Sequence, residues 1–156
     1  MTKLKPIGII HTPYKKDGDV PYQAYKSRDV GEIEVFKEYE EGLKDIEGFS
    51  HIIILYEFHK SVKRSVKKER YLESQGLLVK PYLDDTSRGL FATRSPNRPN
   101  PIGLTIVEML ERKGNILRVM GIDMLDGTPL LDIKPYVPEF DQRTGIRIGW
   151  LRGKIS

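Results

Sequence analysis

Hydrophobic and polar residues alternate along several short segments of the chain, and this period of two predicts β-strands. Residues 32–36 show the pattern most simply, because Ile33 and Val35 lie on one side and Glu34 separates them. Residues 52–59, IIILYEFH, are mostly β-branched or aromatic, which is typical of a buried strand. These two segments predict strands that contribute to a common core.

Two more β-rich runs, residues 102–112 and 116–124, flank Lys113-Gly114-Asn115, and a short connection containing glycine predicts a hairpin there. A further turn is predicted at Asp126-Gly127. Additional strands are expected at residues 3–11, 76–83, 130–136 and 146–151, with one short helix over residues 36–46. About seven strands with so little helix favour a β-rich sheet or barrel over a doubly wound α/β fold.

The composition narrows the class of protein further. A chain of 156 residues is expected to form one domain and to bury a core without disulfides. The absence of cysteine excludes thiolate nucleophiles, cysteine zinc sites and disulfides. The histidines show no metal-ligand spacing, so no metal is expected. Since no apolar run is long enough to span a membrane and no secretory pattern is visible, we expect a cytoplasmic protein with no membrane partner.

Charge is distributed unevenly along the chain. There are 26 Lys and Arg against 22 Asp and Glu, a net charge of +4. Residues 60–70, KSVKRSVKKER, are here called the basic segment and carry six basic residues and one acidic residue, so the remainder of the chain sums to −1. This segment is either a contact for a polyanion or a solvated loop. Tyr14, Tyr22 and Tyr25 in the early loop could stack on bases, or pack against the core.

Residues 88–103, RGLFATRSPNRPNPIG, are the most unusual segment and are here called the proline-rich loop. Prolines at positions 96, 99 and 101 restrict its backbone and lower the entropy cost of holding side chains in place. Its arginines, at positions 88, 94 and 98, have no acidic neighbour within the segment, and guanidinium groups suit carboxylate or phosphate oxygens. The loop is therefore a candidate anion site, or a structural crossover whose arginines pair with acids elsewhere.

A second candidate segment is residues 123–136, DMLDGTPLLDIKPY, where Asp123, Asp126 and Asp132 surround a turn. The chain contains no G-x-G-x-x-G sequence, no P-loop and no G-x-S-x-G elbow. The nucleotide folds and hydrolase sites that these motifs mark are therefore unsupported.

Together with IGIIHTPY near the start and GFSHIIILYEFH before the basic segment, these two segments resemble the TrmO family, over residues 7–136. The resemblance implies a mainly β fold, a single-sheet β-barrel with a few short helices and not a Rossmann fold, spanning residues 1–156. It implies a methyltransferase that uses S-adenosyl-L-methionine and methylates N6 of threonylcarbamoyladenosine next to the anticodon of tRNA. Family members form homodimers that bind the cofactor near the subunit interface. We expect no C-terminal tRNA-binding extension of the kind found in longer bacterial members.

Residue by residue, the resemblance implies a set of cofactor contacts in the early loop, after the central strand, in the proline-rich loop and before Asp126. These are Tyr22, Gln23, Ala24, Phe58, His59, Arg94, Leu104, Gly121, Ile122, Asp123, Met124 and Leu125. The early loop departs from the family pattern, since it has VPYQA where VPRQP is expected.

Transfer of a methyl group to an exocyclic nitrogen requires the N6 proton to leave. We predict catalytic roles for Asp126, Arg98 and His59, with Asp123 or backbone carbonyls as alternative proton acceptors to Asp126. Arg94 and Arg98 could hold the carboxylate of the cofactor or of the threonyl group. The predicted tRNA contacts all lie in the basic segment and are Lys60, Lys63, Arg64, Lys67, Lys68 and Arg70.

Two other functions stay open on the sequence. One is a methyltransferase of the same fold that acts on another RNA or on a small molecule. The other is a non-catalytic RNA-binding module, which would not need to bind S-adenosyl-L-methionine.

Overall fold

A computed structural model describes residues 2–20, 27–59, 70–71 and 76–155 of the chain. Its contacts group the chain into two compact units, which are considered separately below. The barrel unit consists of residues 1–59 and 102–136, and the small unit consists of residues 60–101 and 137–156. All six strands of the barrel lie in the barrel unit. The expectation of a single domain over residues 1–156 stays a prediction.

Nine strands are present among the described residues. They are β1 (Gly8–His11), β2 (Val30–Val35), β3 (His51–Glu57), β4 (Arg70–Tyr71), β5 (Leu78–Lys80), β6 (Arg88–Gly89), β7 (Ile102–Lys113), β8 (Ile116–Met120) and β9 (Thr128–Pro135). Six of them close an antiparallel barrel in the order β1-β2-β8-β7-β3-β9. The prediction of a mainly β barrel, rather than a Rossmann fold, is confirmed.

Alternation along the barrel strands places one face of each strand inside. Ile33 and Val35 of β2 are buried as predicted, and Ile52 and Ile54 of β3 are fully buried beside them in the same core. Leu117 of β8 is also fully buried. Because side chains on a strand point to opposite faces in turn, the residues between these positions lie on the outside of the barrel.

The predicted hairpin connects β7 and β8 through Gly114 and Asn115, and Gly114 has a φ of 60°, which favours glycine. The Asn115 side chain donates to the Val35 carbonyl at 2.7 Å, which ties the hairpin to β2. The second strand of the hairpin, predicted over residues 116–124, is shorter than expected. It stops at Met120 because Gly121, with a φ of 103°, turns the chain out of the sheet.

Helical structure is short throughout the described residues. The helix predicted over residues 36–46 is a 3-10 helix at Lys37–Leu43, with Leu43 buried against the core. The remaining short helices are 3-10 turns at Asp17–Asp19, Ile46–Gly48, Leu90–Ala92 and Gly149–Leu151, and one α-helix, α1, at Pro138–Asp141. No helix in the part of the chain that the structure describes is long and apolar enough to cross a membrane.

The small unit contains a sheet of three short strands in the order β4-β5-β6. The strand predicted at residues 76–83 is present only as β5. The strand predicted at residues 146–151 is wrong, because this segment ends in a 3-10 turn at Gly149–Leu151. Gly149 has a φ of 58°, which is incompatible with an extended strand, and Ile146 and Ile148 are exposed rather than packed.

Candidate functional site

Residues 121–127, here called the aspartate segment, connect β8 to β9 in the barrel unit and are tied to the end of β1 on one side. The Thr12 hydroxyl donates to the Met124 carbonyl at 2.9 Å, and the Thr12 N–H donates to Asp126 Oδ1 at 2.9 Å. The Asp126 N–H in turn donates to the Tyr14 carbonyl at 2.8 Å. These contacts fix the backbone of the aspartate segment against the residues that follow the first strand.

The other side of the aspartate segment is tied to residues 27–29. The Ser27 hydroxyl donates to the Ile122 carbonyl at 2.6 Å, and the Gly121 N–H donates to the Asp29 carbonyl at 2.9 Å. The Tyr14 hydroxyl donates to the Asp29 carboxylate. Burial, followed by this hydrogen bond, raises the pKa of Tyr14 to about 12. Tyr14 is therefore part of the core rather than a surface for stacking bases.

Of the residues predicted in the early loop, Tyr22, Gln23, Ala24 and Tyr25 lie outside the described residues. Residues 27–29, which follow this loop in the chain, contact Gly121 and Ile122. The residues that follow the early loop in the chain are thus hydrogen-bonded to the aspartate segment.

Asp123 projects toward hydroxyl groups of β3 and β7. The Thr105 hydroxyl donates to Asp123 Oδ1 at 2.8 Å, and the Tyr56 hydroxyl lies 2.9 Å from Thr105 Oγ1. Burial raises the pKa of Asp123 to about 6, although the hydroxyls of Thr105 and Tyr56 act in the opposite direction. Asp123 is thus a partly exposed carboxylate that binds a proton more readily than an ordinary aspartate.

The aromatic end of β3 is arranged around a glycine. The rings of Tyr56 and Phe58 meet edge to face, with centroids 5.5 Å apart. A Cβ atom at Gly103 would lie 2.3 Å from the Tyr56 ring and 2.9 Å from the Phe58 ring, so only glycine fits. Leu104, the next residue of β7, is 49% exposed on the outer face of the barrel. His59 follows Phe58 beyond the end of β3.

Three of the predicted cofactor residues bury their side chains in the barrel core, namely Ile122, Met124 and Leu125. Their backbone N–H groups donate to no partner among the described residues. Contacts from these three residues to a ligand would therefore be made by the backbone, whereas Asp123 would use its carboxylate.

Asp126 is held more tightly than the sequence suggests. Lys15 Nζ lies 2.8 Å from Asp126 Oδ2, and Oδ1 accepts the Thr12 N–H. The hydrogen bond from Lys15 lowers the pKa of Asp126. The catalytic role of Asp126 stays a prediction, but its two carboxylate oxygens already bind groups that close the turn.

In the small unit, the proline-rich loop is organised around Arg98. Arg98 Nη1 donates to the carbonyls of Thr93 and Ser95 at 2.9 and 3.0 Å, and the guanidinium lies over the Phe91 ring, 5.9 Å from its centroid. The predicted catalytic role of Arg98 is untested by this geometry, which assigns it an additional task of holding the loop. Arg94 is exposed and has no hydrogen-bond or ion-pair partner among the residues that the structure describes.

The third arginine of the loop has an acidic partner after all. Arg88 pairs with Asp84 through two contacts of 2.6 and 2.8 Å and lies over the Trp150 ring, 5.5 Å from its centroid. Asp84 lies four residues before the proline-rich loop, so Arg88 follows the alternative in which an arginine of the loop pairs with an acid elsewhere. The basic residues Lys60, Lys63, Arg64, Lys67 and Lys68 lie outside the described residues, and of Arg70 only the backbone is described.

Comparison with known protein families identifies the family of this chain. A family model described as the tRNA-methyltransferase O N-terminal domain matches residues 9–142. The chain belongs to the TrmO family. The resemblance inferred from the motifs is therefore confirmed, and the match includes the barrel, the proline-rich loop and the aspartate segment.

Relatives in the TrmO family occur in archaea and in animals. A Pyrococcus abyssi protein named a probable S-adenosyl-L-methionine-binding protein is 56% identical over 99% of this chain and 79% of its own length. An Archaeoglobus fulgidus S-adenosyl-L-methionine-binding protein is 45% identical over 88% of this chain and 91% of its own length. The human tRNA (adenine(37)-N6)-methyltransferase is 42% identical over 69% of this chain, but the match covers only 22% of the human protein.

Solved TrmO structures share the fold. A crystal structure of TrmO is 31% identical with a TM-score of 0.75, covering 96% of this chain and 64% of that one. The TrmO of Pseudomonas aeruginosa is 32% identical with a TM-score of 0.75, covering 96% of this chain and 62% of that one. The chain thus spans less than two thirds of these two TrmO proteins.

Sequence reasoning missed the residues that support the aspartate segment. Tyr56 and Thr105 form hydrogen bonds to Asp123, whereas Ser27 and Asp29 contact the segment from the other side. Only strand periodicity could have indicated one of them, because Thr105 is a polar residue at an inward position of a strand whose neighbours there are apolar.

Proposed function

We propose that this chain binds S-adenosyl-L-methionine and methylates N6 of threonylcarbamoyladenosine next to the anticodon of tRNA. Membership of the TrmO family supports the reaction class, and the names of its relatives agree with the cofactor. The observation that carries the proposal within the structure is Asp123, a proton-accepting carboxylate in the segment that resembles the family's cofactor motif.

The residues of the aspartate segment fit the chemistry of this cofactor. The backbone N–H groups of Ile122, Met124 and Leu125 are donors suited to ring nitrogens of an adenine. The Asp123 carboxylate suits ribose hydroxyls or a cationic sulfonium, and the exposed Arg94 suits the carboxylate of the amino-acid end. When bound, the cofactor supplies an electrophilic methyl group.

Methyl transfer forms a bond between N6 and the methyl carbon, breaks the carbon–sulfur bond and releases the N6 proton. Asp123 is the better acceptor for this proton, because it is partly exposed and its pKa is raised to about 6. Asp126 is a poorer base, because Lys15 lowers its pKa and occupies one oxygen. His59 is the alternative acceptor.

The chain is proposed to act as a homodimer. Ile102, Leu104 and Ile106 face outward on β7, and the last two lie opposite the outward residues Leu55 and Ile53 of β3. This apolar stripe suits burial against a second copy, and it would bring a cofactor that contacts Leu104 close to the subunit interface. Ile106→Lys should convert the dimer to monomer in sedimentation experiments, whereas Val30→Lys, an exposed position on β2, should not.

The basic segment is proposed to contact the tRNA backbone. The protein is proposed to act in the cytoplasm. Neutralising Lys63, Arg64, Lys67 and Lys68 together should reduce the salt dependence of tRNA binding, because fewer counterions are released. The matched control neutralises four exposed lysines of the barrel unit, Lys3, Lys5, Lys16 and Lys44. An equal loss of salt dependence in this control would place the contact elsewhere.

Mass spectrometry of tRNA nucleosides after incubation with enzyme and cofactor tests the function directly. The expected product is threonylcarbamoyladenosine carrying one additional methyl group. Methylation of unmodified adenosine or of another nucleoside would support the same chemistry on a different RNA. A protein that binds tRNA but not S-adenosyl-L-methionine would instead be a non-catalytic module.

A further inference from the structure

The two units of the chain differ strongly in charge. The barrel unit has 12 Lys and Arg against 16 Asp and Glu, a net charge of −4, whereas the small unit has 14 against 6, a net charge of +8. The modest overall charge of +4 is therefore the difference between an acidic barrel and a strongly basic small unit. A polyanion is attracted to the small unit and repelled by the barrel.

The small unit also presents a phenyl ring to solvent. Phe91 is 73% exposed, although a side chain of this size and polarity is normally buried. It is held in place by a rigid turn, because Leu90 is buried and the Thr93 hydroxyl donates to the Leu90 carbonyl at 2.8 Å. The Trp150 indole N–H donates to the Ala92 carbonyl at 2.8 Å, which fixes the other end of the turn.

A cation lies beside this ring in a fixed position. The Arg98 guanidinium lies 5.9 Å from the centroid of Phe91, and its hydrogen bonds to two backbone carbonyls of the loop prevent it from swinging away. Since the ring remains mostly exposed, a flat aromatic ligand can still stack on it. Such a pre-organised aromatic surface next to a positive charge is typical of sites that hold unpaired bases.

A second exposed phenyl ring of the small unit also has an arginine fixed on neighbouring carbonyls. Phe140 in α1 is 71% exposed. Arg143 Nη1 donates to the carbonyls of Phe140 and Gln142 at 2.8 and 3.0 Å, so its guanidinium is held beside the helix. Both rings thus combine exposure with an arginine fixed on neighbouring carbonyls.

We propose that the small unit binds the single-stranded anticodon loop of tRNA by stacking unpaired bases on Phe91 and Phe140. Basic side chains of the unit contact the phosphates. This assignment rests on the proposed tRNA substrate and gives the small unit a task that the barrel does not perform. A fully paired RNA hides its bases within the helix, so the two rings give a preference for loops.

Leucine and tyrosine substitutions separate stacking from simple apolar contact. Phe91→Leu and Phe140→Leu keep an apolar side chain but lose the aromatic face, whereas Phe91→Tyr and Phe140→Tyr keep that face. Phe49→Leu is the matched control, because Phe49 is an exposed phenylalanine of the barrel unit. Thermal melting and circular dichroism confirm that each variant is folded.

The readout is the fluorescence anisotropy of a labelled RNA hairpin with an unpaired loop, compared with a fully paired duplex of the same length. Each leucine variant should bind the hairpin about tenfold more weakly, and the tyrosine variants should stay within about twofold of wild type. Duplex binding should be unchanged in all variants. The KM for tRNA should rise in the leucine variants while the affinity for S-adenosyl-L-methionine stays constant.

Two results would overturn the stacking surface. One is an unchanged affinity of the double leucine variant for the hairpin. The other is a loss of affinity for S-adenosyl-L-methionine in Phe91→Leu while RNA binding is intact, because the ring would then belong to the cofactor site. If the wild-type protein methylates tRNA and the leucine variants bind the RNA hairpin with normal affinity, only this inference is contradicted. Wild-type protein that neither binds nor methylates tRNA contradicts the proposed function itself.

Discussion

Thr105 donates a 2.8 Å hydrogen bond to Asp123 from an inward position of the barrel wall. The contact joins a buried hydroxyl of β7 to a carboxylate in the turn after β8. At this position the otherwise apolar barrel core contains the hydroxyl groups of Thr105 and Tyr56, which form hydrogen bonds to the Asp123 carboxylate. Burial at this position raises the pKa of Asp123, whereas the pKa of Asp126 is lowered.

Asp123 should make the protein less stable as the pH rises through the weakly acidic range. Its pKa is raised from 3.8 to about 6 in the folded state, so the folded protein binds more protons than the unfolded chain between these values. Relative to Asp123→Asn, the wild type should lose about 2 kcal/mol of unfolding free energy between pH 4 and pH 6. Urea titrations across this range measure the difference.

Asp126→Asn provides a comparison of opposite sign. Because Lys15 lowers the pKa of Asp126, the wild type should gain stability relative to this variant as the pH rises through the ordinary range of an aspartate. Parallel stability profiles for wild type and Asp123→Asn would show that burial does not perturb Asp123.

Ser27→Ala and Tyr14→Phe should weaken binding of S-adenosyl-L-methionine without unfolding the protein. The Ser27 hydroxyl binds the Ile122 carbonyl directly, and the Tyr14 hydroxyl contacts both Asp29 and the Ile122 carbonyl, so each variant removes one link between residues 27–29 and the aspartate segment. A lost hydrogen bond of about 1 kcal/mol corresponds to an affinity about fivefold lower. Isothermal calorimetry measures the affinity, and Ser50→Ala, which removes an exposed hydroxyl beside His51, is the control. Equal affinities in all three variants would mean that this tie does not position the cofactor site.

Gly103→Ala should destabilise the barrel. The added methyl group would lie 2.3 Å from the Tyr56 ring, which must then move away from Thr105. Overpacking of this kind costs about 1–3 kcal/mol. Gly42→Ala is the matched control, because no atom lies within 4 Å of the position of its Cβ. A melting temperature for Gly103→Ala equal to that of Gly42→Ala would contradict the close approach of β3 and β7.

Asp84→Asn should loosen the C-terminal part of the small unit. Asp84 accepts a hydrogen bond from Lys154 at 3.0 Å in addition to its pair with Arg88. The hydrogen bond from Arg88, followed by that from Lys154, lowers the pKa of Asp84 to about 2. Its contribution to stability is therefore present above the ordinary pKa of 3.8 and is lost as the pH falls toward 2.

Trypsin cleavage after Arg152 and Lys154 measures this loosening at neutral pH. Cleavage should be faster in Asp84→Asn than in Asp85→Asn, which changes the exposed neighbouring residue. Melting temperatures recorded down to pH 2 should converge for wild type and Asp84→Asn. Equal cleavage rates at neutral pH would show that the ion pairs do not restrain the segment.

Arg94→Ala should weaken S-adenosyl-L-methionine binding by about tenfold, because a charge-assisted contact to a carboxylate is lost. Arg118→Ala, which removes an arginine from the outer face of β8, is the control. Calorimetry distinguishes the two variants. Affinity for the cofactor that is unchanged in Arg94→Ala would reassign this arginine to another anion, such as an RNA phosphate.

Local patterns were sufficient to predict most of the barrel strands. The strands predicted at residues 32–36 and 52–59 are present as β2 and β3 with the expected inward residues, although both end one or two residues earlier, and Gly114 and Gly127 mark turns as their positions suggested. Residues 146–151 failed because isoleucines at alternate positions indicate a strand only when a neighbouring strand is present to pair with them. That condition is not contained in a short segment.

The sequence by itself determined the class of fold and the family. Strand periodicity, turn glycines and long motifs are local properties, which can be recognised without knowing which distant residues are in contact. Only the tertiary structure decided that Asp123 is the perturbed carboxylate and Asp126 the ion-paired one. The reason is physical: desolvation and pairing depend on Tyr56, Thr105 and Lys15, which are distant in the chain and adjacent only after folding. The division of charge between the two units also became visible only when contacts grouped separate segments together.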